Sequence, residues 1–213
     1  MQKPSQVDVD QIVRDPGVFH AHVRQVLASH MPRRQTATAD ARRAAVLMPL
    51  VTSTEGPAVI LTKRTDTLEH HRGQIAFPGG RIEPGENALD AALRETFEEI
   101  GVPAEDVEVL GRLDEEVITV SGFAVTPFVG AIASPGRLRL NAREVRASLE
   151  VPIAVFLDPR NIRTKVWERG GRSQVVHFYA VGSEMVWGAT ARIIAGFLHA
   201  VFGAPVHQVG QVT

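Results

Sequence analysis

Blocks of apolar and polar residues alternate along the chain and predict a mixture of strands and helices. Two apolar runs, at residues 44–51 and 58–62, are separated by a turn-rich stretch and are typical of paired strands. Further strands are predicted at residues 73–77, 107–113, 123–132 and 175–180. Apolar residues at helical spacing predict helices after Asp15 and Pro16, at residues 141–149 and at residues 190–201. Mixed elements of this kind favour a layered α/β or α+β domain.

The length of the chain sets its domain organisation. With 213 residues there is room for one well-filled domain with terminal extensions. We expect residues 1–42 to form an N-terminal helix and a connector, and residues 43–213 to form the domain proper, including the C-terminal helix.

Composition and charge exclude several functional classes. A net charge of −1 gives no broad basic field, which disfavours nucleic acid or an anionic membrane as the main partner. The absence of cysteine excludes disulfides, thiolate zinc sites and cysteine nucleophiles, and it suits a reducing compartment. No signal peptide and no apolar run of membrane-spanning length is evident. We therefore expect a soluble, cytoplasmic protein.

The most informative stretch is residues 79–102, GGRIEPGENALDAALRETFEEIGV. Its helical part places four large apolar residues on one stripe, which we expect to be buried, namely Leu89, Leu93, Phe97 and Ile100. Glu95, Glu98 and Glu99 fall on roughly the opposite face. Three carboxylates are thus presented together.

These carboxylates lie at an unfavourable end of the helix. Gly101 is placed to end the helix in the left-handed conformation, so the acids occupy the last turns, where the helix dipole is negative. They also repel one another. A hard divalent cation such as Mg²⁺ would reverse both effects. The alternative is an ordinary solvated acidic face, on which Arg94 is an i,i+4 partner of Glu98.

The spacing of the polar residues resembles the Nudix box. From Gly80 there are five residues to Glu86 and seven more to Arg94, and the glutamates, Gly101 and Val102 follow at the box positions. Thr96 departs from the pattern, which has a larger aliphatic residue there. The resemblance implies an α/β/α sandwich with a mixed sheet and hydrolysis of a nucleoside diphosphate linkage with Mg²⁺ or Mn²⁺.

The resemblance also assigns roles to residues of the box. It implies that Glu95, Glu98 and Glu99 bind the metal and that the main chain of Gly80 contacts metal or phosphate. Glu86 and Arg94 would orient the helix and its acids. Glu98 is the acid that we expect nearest the attacking water.

The residues before the box resemble the coenzyme A pyrophosphatase subfamily. The shared features are Leu-Thr-x-Arg at residues 61–64, Gly-Gln at 73–74 and Phe-Pro-Gly-Gly at 77–80. This resemblance implies coenzyme A or a derivative as the substrate, contacted by the residues Arg64, Gln74, Gly79 and Gly80. Two positions depart from the pattern: Thr65 replaces serine or alanine, and Glu69 replaces arginine. His70, His71 and Arg72 are candidates to compensate for the lost cation, or are simply solvated.

Several interpretations stay open at this stage. Glu144 is either the N3 residue of a capping box with Asn141 or an outlying acid that serves as the catalytic base. Trp187 and Phe197 are expected in the core rather than against a base. Rival functions are hydrolysis of ADP-ribose, NADH or another nucleotide, and a catalytically silent nucleotide sensor. A small-molecule nucleotide is the expected partner, and the sequence is compatible with a homodimer.

Overall fold

The computed structural model describes residues 9–35, 40–65, 73–118, 122–133, 136–169 and 172–203. The helices are α1 (Val9–Ile12), α2 (Pro16–Ser29), α3 (Ala88–Ile100), α4 (Ile153–Leu157) and α5 (Gly188–Phe202), with short 3₁₀ turns at Ala104–Asp106 and Pro159–Asn161. The strands are β1 (Arg42–Ser53), β2 (Gly56–Arg64), β3 (Ile75–Ala76), β4 (Gly79–Arg81), β5 (Val107–Arg112), β6 (Glu116–Ile118), β7 (Phe123–Ile132), β8 (Val145–Pro152), β9 (Ile162–Arg169), β10 (Arg172–Val181) and β11 (Glu184–Trp187).

The strands form two sheets. The larger sheet has the order β3-β2-β1-β7-β5, with β8 also paired to β2, β4 to β1 and β6 to β7. β1 and β7 are parallel, whereas the other pairs described in this sheet are antiparallel. The expectation of a mixed sheet is thus confirmed. The second sheet is antiparallel, in the order β11-β10-β9.

Helices cover both faces of the large sheet, because its central strands are apolar on both sides. In β1, Leu47 and Val51 belong to the core cluster that includes Ala91 and Ile100 of α3. Met48 and Leu50 point the other way, as expected for the two-residue period of a strand, into the cluster that holds the buried residues of α2 and α5. This layering confirms the predicted α/β/α arrangement.

The N-terminal helix begins as its sequence predicts. The Asp15 side chain accepts hydrogen bonds from the main-chain amides of Gly17 and Val18, which caps α2. Phe19, Val23 and Leu27 of this helix are buried in the same core cluster as α5. Part of the predicted connector after α2, residues 36–39, lies outside the described residues.

One predicted helix is wrong. Residues 141–144 form turns, and the chain then enters strand β8 at Val145. The sequence VRASLEVP alternates apolar and polar residues, and that two-residue period suits a strand with one side against the core. The capping-box interpretation of Asn141 and Glu144 falls with the helix.

The aromatic residues near α5 have different environments. Phe197 is fully buried, as predicted, whereas Trp187 is 40% exposed and the prediction of a core position for it is wrong. Trp187 is the residue before α5, at the end of an outer strand of the three-stranded sheet. No helix in the described part of the chain is long and apolar enough to cross a membrane.

Candidate active site

Helix α3 has defined ends, which fix the direction of the acids it carries. At its start, the Asn87 side-chain oxygen accepts hydrogen bonds from the amides of Leu89 and Asp90, both at 3.0 Å. At its end, Gly101 adopts the left-handed conformation at φ 74° and its amide bonds to the carbonyl of Phe97. The Gly101 end of the helix therefore forms as the sequence predicts.

The face that α3 buries differs from the predicted one. Leu89 and Leu93 are only half-buried and Phe97 is 49% exposed, so of the predicted stripe only Ile100 is fully covered. The side chains packed inward are mostly small, and they are Ala91, Ala92, Thr96, Glu99 and Ile100. Small side chains let the helix lie close to β1 and β4, and this close approach takes Glu99 into the interior.

Glu99 is the most deeply buried of the three acids, with 2% of its surface exposed. Burial raises the pKa of its carboxyl to about 8, although the Arg64 guanidinium and the main-chain amide of Gly79 both favour the charged form. The Arg64 Nη1 atom lies 3.7 Å from Glu99 Oε1. Glu99 Oε2 is buried and has no hydrogen-bond partner among the described residues.

Glu95 packs its carboxylate directly against the main chain of Gly80. A Cβ atom at position 80 would lie 2.3 Å from Glu95 Oε1 and 2.6 Å from Oε2. Partial burial raises the pKa of Glu95, and the charges of Glu98 and Glu144 add to this effect, while Arg94 opposes it. The structure thus explains why glycine is needed here, since a side chain at position 80 would occupy the space of the acid.

Arg94 connects the acids to the loop before the helix. Its Nε and Nη2 atoms donate to the two oxygens of Glu86 at 2.9 and 3.1 Å, and Nη2 also donates to the Arg81 carbonyl. Its Nη1 atom donates to Glu95 at 3.0 Å and to Glu98 at 3.3 Å. These hydrogen bonds lower the pKa of Glu86 and raise that of Arg94. The predicted pairing with Glu98 exists, within a larger network.

Glu98 is the outermost of the three acids. Its side chain is 51% exposed, compared with 16% for Glu95 and 3% for Glu99. It therefore faces solvent beside two largely covered carboxylates.

The end of β2 lies beside the turn that carries Glu144. The Arg64 amide donates to the Gln74 carbonyl at 3.0 Å, and the Thr65 amide donates to the Glu144 carbonyl at 2.9 Å. Burial raises the pKa of both Glu95 and Glu99, and repulsion by Glu144 adds to this effect. The fold thus brings together predicted site residues that are distant in sequence.

Asn141 is a residue of this site whose role the sequence interpretation missed. Its side-chain amide donates to Glu144 Oε1 at 3.2 Å, and its main-chain amide donates to the carbonyl of Glu99 at 3.0 Å. It fastens the Glu144 turn to the end of α3. The signal was present as the Asn141–Glu144 spacing, but this pair stabilises a turn rather than a helix start. Glu69, His70, His71 and Arg72 lie outside the described residues.

The donor set fits a hard divalent cation. Carboxylate oxygens are the preferred ligands of Mg²⁺, and the unpartnered Glu99 Oε2 atom is an acceptor that a cation would satisfy. Among the described residues, no group of three or more acidic or histidine side chains is arranged to hold a metal ion by itself. An open site with few protein ligands is what Mg²⁺ commonly uses, because it keeps waters and substrate phosphates as its remaining ligands.

Comparisons with known proteins identify the family. The model of the NUDIX domain matches residues 41–147, which hold α3, β4 and the Glu144 turn. A Nudix hydrolase of Yersinia enterocolitica, named NudL and described as uncharacterized, is 36% identical over 87% of this chain and 94% of its own length. The chain belongs to the Nudix family. The protein is a Nudix pyrophosphohydrolase acting on nucleotide diphosphate linkages.

Other relatives cover less of the chain. Nudix hydrolase 3 of Caenorhabditis elegans is 45% identical to this Nudix protein over 63% of its length, and the match spans 58% of the worm protein. Among solved structures, DR0079 from Deinococcus radiodurans aligns with 75% of the chain at 13% identity and a TM-score of 0.49. The Mycobacterium smegmatis Nudix hydrolase RenU aligns with 55% at 27% identity and a TM-score of 0.47.

Proposed function

We propose that this Nudix hydrolase cleaves coenzyme A to 4′-phosphopantetheine and adenosine 3′,5′-bisphosphate. The observation that carries the proposal is the position of Arg64 at the end of β2, with its guanidinium 3.7 Å from the buried Glu99. Arg64 belongs to the Leu-Thr-x-Arg stretch that resembles the coenzyme A pyrophosphatases. A guanidinium is a planar donor that suits phosphate oxygens, and here it stands beside the acids that would hold the metal.

The residues of the site would divide the work as follows. Glu95, Glu98 and Glu99 would hold Mg²⁺ or Mn²⁺, which when bound supplies activation of water and neutralisation of phosphate charge. Arg64 binds the diphosphate, with Gln74 beside it and the Gly79–Gly80 main chain facing the acids. Glu144 accepts the proton of the attacking water, and Glu98 is the alternative base. Arg94 and Glu86 hold the acids in position.

A cavity near the C-terminal end of α3, lined by none of the acids, offers space for one end of a nucleotide. It has a volume of about 330 Å³ and lies between the loop at residues 136–140 and strands β2 and β8. Its apolar lining is Ile60, Leu138 and Leu140, and its polar lining includes Arg137, Ser148 and Glu150. Leu140 is adjacent to Asn141, whose main-chain amide donates to the main-chain carbonyl of Glu99. An apolar floor with a few polar groups is typical of a small-molecule site.

Turnover of a substrate panel tests the proposal. We expect kcat/KM for coenzyme A to exceed that for ADP-ribose and NADH. It should also exceed that for 3′-dephospho-coenzyme A, because donors that pair with the 3′-phosphate are left without an acceptor when this phosphate is missing. Arg64→Ala should reduce the difference between the two coenzyme A forms, and Glu69→Arg should lower KM for coenzyme A. Equal turnover of both forms by all three proteins would contradict this specificity.

Full activity in excess chelator would exclude the metal.

A nucleotide sensor without activity is the rival from another class. The complete set of box glutamates and their Arg94 network argues against it, because a sensor has no need to hold three acids together at the end of a helix. Binding of ADP-ribose without hydrolysis in the presence of Mg²⁺ would favour the sensor.

A further inference from the structure

Two buried polar atoms without partners meet at one ion pair. Arg64 Nε and Glu99 Oε2 are both buried and both lack a hydrogen-bond partner among the described residues. Their side chains nevertheless approach each other, with Nη1 and Oε1 3.7 Å apart. At this separation the charges attract, but the geometry is too long for a hydrogen bond. The pair is therefore incompletely satisfied on both sides.

Each member of the pair has another ligand in the reaction proposed above, on which this inference rests. Glu99 would bind the divalent cation, and Arg64 would bind the diphosphate. We propose that Arg64 and the metal ion compete for Glu99, so that metal loading releases the guanidinium toward the substrate diphosphate. Metal and substrate then favour each other's binding through Arg64.

The sign of the effect on metal affinity follows from the charges alone. A divalent cation adds two positive charges next to Arg64, or one if Glu99 gives up a proton as the metal binds. In both cases the surroundings of Arg64 become more positive, so its charge opposes metal binding in the absence of substrate. Low exposure of Glu99 strengthens this opposition, because water screens it poorly. An anionic diphosphate on Arg64 would relieve it.

Arg64 and a bound cation would also use the same acceptor, the carboxylate of Glu99. Glu99 Oε1 faces Arg64, and the Gly79 amide is a second donor to the carboxylate. A cation that draws both carboxylate oxygens would leave the guanidinium without its acceptor. A guanidinium with a buried, unpartnered Nε–H is then a ready donor for a phosphate oxygen.

Metal binding without substrate tests the proposal independently of any activity. Mn²⁺ is titrated into the metal-stripped full chain by calorimetry or by the electron paramagnetic resonance of free Mn²⁺. We expect Arg64→Gln, which removes the charge, to bind Mn²⁺ roughly five-fold or more tightly than wild type, the lower end of common coupling factors. Arg64→Lys, which keeps the charge, should bind as wild type does.

A matched control separates a local effect from a change in net charge. Arg24→Gln also removes one positive charge, from the exposed ion pair that Arg24 forms with Glu108. Arg24 is in helix α2, on the other side of the large sheet from α3. It should bind Mn²⁺ as wild type does. If Arg64→Gln does not fold, Arg64→Met provides a second neutral variant, and melting curves report folding in each case.

The coupling is measured with a probe that is not hydrolysed. With α,β-methylene-ADP present, Mn²⁺ affinity should increase more in wild type than in the neutral variant, because only wild type has a repulsion to relieve. Unchanged Mn²⁺ affinity in the folded neutral variants, or an equal increase with the probe in both proteins, would overturn the proposal. If Mn²⁺ binding responds as expected but coenzyme A is not cleaved, only the substrate assignment fails.

Discussion

The carboxylate of Glu95 occupies the space in which a side chain at Gly80 would stand, with Oε1 2.3 Å from a Cβ atom built at that position. The two residues come from different elements, since Gly80 is in β4 and Glu95 is in α3. The contact joins the glycine turn to the acid-bearing helix. It gives a physical reason for the second glycine of the Pro-Gly-Gly sequence that does not involve the backbone angles.

Gly80→Ala should reduce metal binding more than stability. The three atoms nearest to the new methyl group all belong to the flexible end of the Glu95 side chain, so the acid can swing away at low cost to the fold. The displaced carboxylate should weaken Mg²⁺ affinity roughly tenfold, the scale seen when a metal ligand loses its orientation. Metal titration and melting curves of the metal-free protein measure the two effects separately.

Gly79→Ala should give the opposite result and is the natural comparison. A Cβ atom there would lie 2.4 Å from the Ala45 carbonyl oxygen and 2.6 Å from Val46 Cα, and Gly79 has φ 150°. Both are main-chain clashes that the side chains cannot relieve. We expect a loss of about 1–3 kcal/mol in unfolding free energy. A stable Gly79→Ala protein together with an unstable Gly80→Ala protein would contradict this account of the turn.

Arg94→Lys should impair catalysis while conserving charge. Lysine has one donor centre, and it cannot reach both oxygens of Glu86 together with Glu95 and Glu98, as the guanidinium does. We expect kcat/KM to fall roughly tenfold or more because the acids lose their common orientation. The control is Arg160→Lys, which breaks a similar Arg–carboxylate pair with Asp158 on the surface. If both variants behave alike, the Arg94 network has no special role.

The sequence predicts the elements that carry strong periodic patterns. Strand β7 was predicted at the bounds it has, and α2 and α5 follow from helical spacing, with the Asp15 cap at the start of α2. Strand β9 was missed, because IRTKVWER is mostly polar and its side chains are largely exposed at an outer position of the small sheet. For the region of β8, the capping-box spacing of Asn141 and Glu144 led to the prediction of a helix, although the residues that follow alternate between apolar and polar.

The site could be predicted only in part, for a physical reason. Spacing along one helix fixes which acids share a helix face, so the grouping of Glu95, Glu98 and Glu99 follows from the sequence. Spacing does not tell which face is covered by the sheet, and the large apolar residues suggested the wrong one. The contact of Arg64 with Glu99 depends on how β2 packs beside α3, which no local pattern contains.

Glu99→Gln should change how stability depends on pH in the metal-free protein. The pKa of Glu99 is about 8 in the folded protein, above its ordinary value of 4.5, so the folded state holds the proton more tightly than the unfolded chain does. Unfolding free energy should therefore fall as pH rises from about 4.5 to about 8. The variant lacks this contribution, and its melting temperature in chelator should decrease less over that range.

The exposed Glu105→Gln variant is the control for this pH profile. It should retain the wild-type dependence, because the substitution removes an exposed side chain and leaves Glu99 in place. Identical profiles for wild type and Glu99→Gln would show that the pKa of Glu99 in the folded, metal-free protein equals its ordinary value.

Glu144→Gln decides whether this residue acts in catalysis. The turn at Asn141 leaves no helix for Glu144 to cap, and its main-chain carbonyl, which accepts from the Thr65 amide, is unaffected by the substitution. Glutamine also keeps an oxygen for the Asn141 side-chain amide. We therefore expect the melting temperature to stay close to that of wild type while kcat falls roughly 10²-fold, as for loss of a general base. The matched control is Glu168→Gln, which removes the charge of an exposed glutamate in β9 and should leave both the melting temperature and kcat unchanged. A Glu144→Gln enzyme with normal kcat would assign the base to Glu98 instead.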